Sequence, residues 1–210
     1  MITYEQALDS DLNYAFNEGG LYFQEKNEVH QTLRRVTRRL ADLGIPYAVV
    51  GGMAMFAHGF RRFTEDVDIL VTRQSMDRIL AEMEGLGYAQ PPGTSTKLRD
   101  TVNGVRIEFL ITGGYPGDGR PKAVSFPDPD QVAVDIEGIR YLNLTTLLEL
   151  KLASGISAPH RMKDLADVQE LIKSLSLPRT TAEQLNPEVA PKFQELWDAV
   201  AAAPPEENAP

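Results

Sequence analysis

The chain of 210 residues has no cysteine. Disulfides, thiolate zinc sites and cysteine nucleophiles are therefore excluded. Its three histidines, His30, His58 and His160, are scattered, which argues against a histidine metal site. No apolar run reaches 18 residues, so no membrane-spanning helix is expected. No basic segment precedes an apolar one near the start, so no signal peptide is read and a cytoplasmic location is expected. Basic residues are in deficit, and the net charge of −9 argues against a protein that coats duplex nucleic acid. With 42% hydrophobic residues the chain can bury a normal core, as one domain or a domain plus a small helical lobe.

The stretch from Gly51 to Val71 is the most informative. Tyr47 to Val50 reads as a buried strand. Gly51-Gly52 then offers a turn, a short helix follows, and Asp66-Val67-Asp68-Ile69-Leu70-Val71 reads as a second strand. Alternation places Asp66 and Asp68 on one face and Val67, Ile69 and Val71 on the core face. Two like charges so close repel, and a divalent cation relieves that repulsion. Magnesium typically takes one or two carboxylates together with substrate phosphates. For a lone Asp-x-Asp, an exposed edge strand with acidic residues facing water is the favoured reading. Gly51-Gly52 ahead of a helix adds a place where backbone N–H groups and the helix dipole can meet an anion. A plain tight turn is the other reading of those glycines. Neither a Gly-x-Gly-x-x-Gly fingerprint nor a P-loop is present.

Asn103-Gly104 predicts a two-residue hairpin turn inside 96–111. Beyond it Val105, Ile107 and Phe109 face one way and Arg106, Glu108 and Leu110 the other. Beside the Asp66/Asp68 strand, Glu108 would complete a three-carboxylate cluster. Its alternative is a solvated Glu paired with Arg106 or Arg99.

Gly51-Gly52, Asp66-Val67-Asp68 and Glu108 together resemble the nucleotidyltransferase superfamily related to DNA polymerase beta. Arg61-Arg62-Phe63-Thr64-Glu65 resembles the Arg-x-Thr-x-Asp context of its bacterial branch of stand-alone and abortive-infection-type toxin proteins. Leu147 to Ala153 and Arg161 to Val168 resemble that family's helical half, where a lysine and a Lys-Asp-x-x-Asp border the nucleotide. The resemblance spans roughly residues 30–175, and one departure is Glu108, where Asp is usual. It implies an α+β (α/β) fold: a small mixed twisted sheet with flanking helices, then a C-terminal helical part. It implies Asp66, Asp68 and Glu108 as catalytic residues and ligands of Mg2+ or Mn2+. It implies Gly51, Gly52, Arg62, Thr64, Lys151, Lys163 and Asp164 as nucleotide-binding residues. The activity implied is transfer of a nucleoside monophosphate from an NTP, ATP included, to an acceptor hydroxyl on RNA, protein or a small molecule. A catalytically degenerate nucleotide- or partner-binding protein of the same fold is the alternative.

The second block also has a purely structural reading. Leu165, Val168, Leu171, Ile172 and Leu175 make a helical core stripe. Asp164 suits a first helical turn, and Lys163 and Asp167 could form a surface pair.

The domains expected are an acidic, partly helical arm (1–22), a catalytic core (23–142), a helical part (143–202) and a disordered tail (203–210). Residues 1–30 hold six acids and one lysine. A helix over about 23–43 would bury Leu33, Val36, Leu40 and Leu43 and project Arg34, Arg35, Arg38 and Arg39 elsewhere. That basic face is either solvated, with the acidic arm as its partner, or a surface for RNA. Strands are expected at 46–50 and 65–71, a helix at 75–86, a long loop over 112–130 that could border the pocket, and a strand or hairpin at 131–142. Helices are expected at 145–154, 161–175 and 188–202. A second copy of the chain or an antitoxin-type protein is the partner considered. His58 reads as a packing or capping residue.

Overall fold

The structure, a computed structural model, describes residues 2–203. Of the tail expected to be disordered, all but Ala203 lies outside the described residues. The chain divides into two compact units: one runs to Gly114 and includes Phe126–Asn143, the other holds Tyr115–Ser125 and the chain from Leu144 onward.

The first unit contains α1 (Tyr4–Ser10), α2 (Leu12–Tyr22), α3 (Glu28–Asp42), β1 (Ala48–Val49), α4 (Gly51–Ala57), β2 (Asp66–Val71) and α5 (Arg73–Met83). These are followed by β3 (Tyr88–Ala89), β4 (Lys97–Asp100), β5 (Arg106–Ile111), α6 (Pro129–Val132), β6 (Ala133–Ile136) and β7 (Ile139–Leu142). The strands form one mixed sheet in the order β3-β4-β5-β2-β1-β7-β6. β2 runs parallel to β5 and antiparallel to β1, and β1 runs parallel to β7. Val67, Ile69 and Val71 are buried as their alternation predicts, and so is Leu70. A central strand is covered on both faces, which accounts for Leu70.

The helix expected over 23–43 begins only at Glu28. Glu25 N–H donates to the Tyr22 carbonyl and Lys26 N–H to that of Leu21, a Schellman closure of α2 with Glu25 at φ +60°. Asn27 then caps α3 through its side chain. Leu33, Val36 and Leu40 are buried as predicted. Of the arginines, Arg35 is bound by Asp100 rather than by the acidic arm, and Arg39 donates to the Glu82 carbonyl.

The N-terminal segment is anchored to the core at a few points. Tyr4 and Tyr22 are fully buried. The Tyr4 hydroxyl donates to Glu18, and Glu18 also accepts the Glu28 N–H. The Tyr22 ring packs at 4.9–5.5 Å, centroid to centroid, on Phe23, His30, Phe56 and Phe63.

The hairpin of β4 and β5 exists, but its turn is longer than two residues: 101–105 separate the strands. Asn103 is drawn toward α3, accepting from Thr32 and donating to the Glu28 carbonyl. That tertiary demand overrides the local turn signal.

The second unit holds α7 (Leu144–Ser157), α8 (Met162–Ser174) and α9 (Ala190–Ala202), with short 3-10 turns at Pro159–Arg161 and Arg179–Gln184. A Cβ on Gly155 would lie 2.5 Å from Leu165, so glycine lets α7 and α8 approach closely. Part of the long loop, 115–125, is fastened to α7: Lys122 donates to Ser157, and Gly117 lies against Ser154 and Ser157.

Tyr22→Ala should cost about 3–5 kcal/mol, the range for removing a buried aromatic ring. Urea unfolding of the full chain measures it. A loss within about 0.5 kcal/mol, as for a surface change, would show that α2 is not part of the core.

Candidate active site

The pairing of β2 with β5 builds the site. In register, Asp66 lies opposite Arg106 and Asp68 opposite Glu108. Facing residues of neighbouring strands point to the same side of a sheet, so the three carboxylates share one face. β4 adds Lys97 opposite Glu108.

The glycines ahead of α4 fit against these acids. Gly51 sits at φ +61°, and a Cβ there would lie 2.1 Å from Asp68 Oδ2. A Cβ on Gly52 would lie 2.9 Å from Thr64 Cβ. Thr64 is buried, and its Oγ1 donates to Asp66 Oδ1 at 2.9 Å. Gly51, Gly52, Thr64, Asp66 and Asp68 are thus one contiguous group. Arg62 stands in the loop before β2 and donates to the Phe63 carbonyl.

The electrostatics follow from the register. Arg106 donates to Asp66 Oδ2 at 2.5 Å, and Lys97 reaches Glu108 at 3.3 Å. Arg99, one expected partner of Glu108, instead holds Glu5 of α1 at 2.8 Å. The Glu65 carboxyl is pushed up, by burial first and then by Glu5, Asp66 and Asp9. Among the described residues no three His, Asp or Glu side chains close on one point as a ready-made cation cage. Arg106 and Lys97 pair with two of the three acids.

These residues nevertheless fit a divalent cation. The donors are hard oxygens on one face, and the side chain absent from Gly51 leaves space against Asp68. The sequence suggests Arg106 as a partner of Glu108 rather than of Asp66, and does not mark Lys97 at all. Their alternation with Ile107 and Leu98 put them on the polar face, but only strand pairing identifies their carboxylates.

His58 ends α4, and its Nε2 lies 2.7 Å from the Leu142 carbonyl. This is the capping and packing role expected for it.

The remaining predicted residues lie in the second unit. Lys151, Asp164 and Asp167 are all buried. Lys151 Nζ donates to Asp164 at 3.2 Å and to Asp167 at 2.6 Å. Asp164 also accepts from Ser154 and Arg161. Burial works to raise the Asp164 carboxyl, but Lys151, Ser154 and Arg161 outweigh it and the group is lowered. Lys163 is exposed at the head of α8.

This sheet, with its β2–β5 pair and the short helix after β1, is the nucleotidyltransferase fold. The crystal structure of ANT(2'')-Ia in complex with adenylyl-2''-tobramycin is similar at 12% identity and a TM-score of 0.50, over 82% of this chain and 98% of that one. The solution structure of ANT(2'')-Ia matches at 14% identity and a TM-score of 0.48, over 81% of this chain and 92% of that one. An antigenic nucleotidyltransferase-like protein from Paracoccidioides brasiliensis matches at 17% identity and a TM-score of 0.48, over 83% and 93%. No protein-family model and no curated protein sequence matches the chain.

Gly44 provides a control for Gly51. It has the same φ of +61°, but a Cβ there would meet nothing within 4 Å. Gly44→Ala should therefore cost the left-handed backbone term alone, about 1–2 kcal/mol. Gly51→Ala should cost more, because Asp68 must move. Equal losses in urea unfolding would show that Gly51 is not fitted to Asp68.

Lys151→Ala removes the cation shared by two buried carboxylates and should cost about 3–5 kcal/mol. The folded Asp164 carboxyl lies below its ordinary 3.8. The stability it contributes is present above that pH and lost as pH falls through the lower folded value. Acid unfolding of Lys151→Ala should therefore begin at higher pH than that of the wild type.

Proposed function

We propose that the chain is a metal-dependent nucleotidyltransferase, moving a nucleoside monophosphate from an NTP to an acceptor hydroxyl with release of pyrophosphate. One observation carries the reading: the β2–β5 register sets Asp66, Asp68 and Glu108 on one face, with Gly51 leaving its side-chain space to Asp68. Asp66, Asp68 and Glu108 would hold Mg2+ or Mn2+, which when bound neutralises phosphate charge and acidifies the acceptor hydroxyl.

The protein groups have separable tasks. Gly51 and Gly52 present backbone N–H groups at the start of α4, suited to phosphate oxygens. Thr64 fixes the Asp66 carboxylate by donating to one of its oxygens. Arg62 offers positive charge ahead of β2, where charge develops on a leaving pyrophosphate. Lys151, Lys163 and Asp164 enter as nucleotide-binding residues on the sequence resemblance alone. The acceptor is a hydroxyl of RNA, protein or a small molecule.

Arg106 and Lys97 give the reading a specific requirement. Both bind carboxylates that a cation needs, so both must release them as the substrate complex forms. The pairs are partly exposed, which keeps that exchange cheap. The same ion pairs favour a second reading, a nucleotide- or partner-binding protein in which Asp66 and Glu108 stay with their cations.

Asp66→Ala and Asp68→Ala should each lower transfer of label from an α-labelled NTP into a total RNA and protein extract by roughly 10²- to 10³-fold. Undiminished transfer would sink the enzyme reading. Calorimetric binding of an NTP with Mg2+, without label transfer to any acceptor, would favour the binding protein.

A further inference from the structure

The fold uses one face of α2 and leaves the other bare. Glu18 and Tyr22 are buried, and the Tyr14 hydroxyl donates to Glu28. Leu12, Phe16 and Phe23 are instead 70%, 73% and 50% exposed. At 3.6 residues per turn these three fall with Gly19 in one stripe about 60° wide. Their spacing, 12-16-19-23, is that of a helix–helix seam. Apolar residues scattered over a surface need no explanation, but a contiguous stripe marks an interaction site.

The glycines of that face are unexplained by the fold. Gly19 and Gly20 lie inside the helix, and neither has a positive φ. A Cβ on either would meet nothing within 4 Å. Alanine would fit and would strengthen the helix. The face is also uncharged, in a chain of net charge −9. From Leu12 to Gln24 the one charged residue is Glu18, which is buried.

The stripe is complementary to itself. Laid antiparallel on a second copy, about a two-fold axis between residues 17 and 18, it sets Leu12 against the partner's Phe23 and Phe16 against the partner's Gly19. Both pairs fall into register at once, so each Phe16 ring takes the space left by a missing side chain. A parallel pair would set Phe16 on Phe16, leave a void between the glycines and align the two helix dipoles. An uncharged face lets two acidic copies meet without like charges in contact. Residues 204–210 hold no large apolar side chain to cover the stripe instead.

We propose that α2 is the interface of a symmetric homodimer, packed antiparallel on α2 of a second copy with Phe16 over the partner's Gly19. The three apolar side chains offer about 350 Å2 per copy. A pair removes about 700 Å2 from them, below the roughly 1,000 Å2 of a firm interface, so the dimer is weak and concentration-dependent. The surface does not depend on the catalytic reading, since no residue of the Asp66 cluster takes part.

Sedimentation equilibrium of the full chain, from submicromolar to submillimolar concentration, should show a mass rising from 23.3 kDa toward twice that value. Phe16→Glu puts like charges in the seam and should raise the dimer Kd by about ten-fold or more. Because Phe16 is exposed, the circular dichroism and urea midpoint of the dilute variant should match the wild type. Gly19→Gln fills the space opposite Phe16, so it should weaken the dimer while raising the urea midpoint of the dilute chain. The opposed effects separate lost association from lost folding. The chain has no cysteine, so cross-linking is read cleanly. Oxidising a mixture of Leu12→Cys and Phe23→Cys chains should give a cross-linked pair that neither gives alone. Like positions lie about 16 Å apart along antiparallel helices, too far for a disulfide. A chain monomeric throughout, a dimer indifferent to Phe16→Glu, or cross-linking of Leu12→Cys alone would overturn the proposal. A monomer that pellets with phosphatidylcholine vesicles would give the stripe to a lipid surface and overturn it equally.

Discussion

The parallel register of β2 against β5 is the constraint on which the candidate active site depends. Six consecutive pairs join the strands, from Asp66–Arg106 to Val71–Ile111. A slip of one residue would turn Glu108 away from Asp68 and bring Ile107 to the polar face. The buried side enforces the register: Val67, Ile69, Ile107 and Phe109 occupy the core together, and all four are at most 2% exposed. The polar face thus inherits its order from the apolar one. The core specifies which carboxylate faces which cation.

How much of this was legible in the sequence follows from what is local. Alternation along a strand is local, so Asp66 and Asp68 on one face, and Glu108 on a matching face, could be read directly. The glycine pair could be read as a close approach, but not as an approach to Asp68 and Thr64 in particular. Which cation meets which acid is a matter of strand pairing, which alternation along a single strand does not encode. Arg106 meets Asp66 across the β2–β5 pair and Lys97 meets Glu108 across the β4–β5 hairpin for that reason. Asn103-Gly104 shows the converse error, since a strong local turn signal gave way to the demand of α3 for Asn103.

Composition, six acids against one lysine in residues 1–30, suggests an acidic, partly helical arm, and the segment is indeed helical over Tyr4–Ser10 and Leu12–Tyr22. Yet the acids there are largely used: Asp11 caps α2, Glu18 accepts from Tyr4 and from the Glu28 N–H, and Glu5 holds Arg99. The tyrosines at 4 and 22 carried the contrary signal. A buried aromatic ring contributes far more than an exposed charge removes. The helix boundary near residue 25 was hidden because glutamate is an unusual residue for a left-handed helix end.

The two units use ion pairs in opposite ways. Lys151, Asp164 and Asp167 are buried together, and desolvation makes such a group hard to break one partner at a time. Ser154 and Arg161 satisfy Asp164 further, so this network fixes α7 against α8. The pairs of Asp66 with Arg106 and Glu108 with Lys97 retain a fifth to a third of their side-chain surface. Water can stabilise either partner once separated, so these pairs exchange at little cost. A carboxylate that must pass between a resident guanidinium and an arriving cation needs that second kind of pairing. Solvent access at Asp66 and Glu108 is what the proposed exchange would require, whereas the dryness around Lys151 suits a residue that stays with its partners.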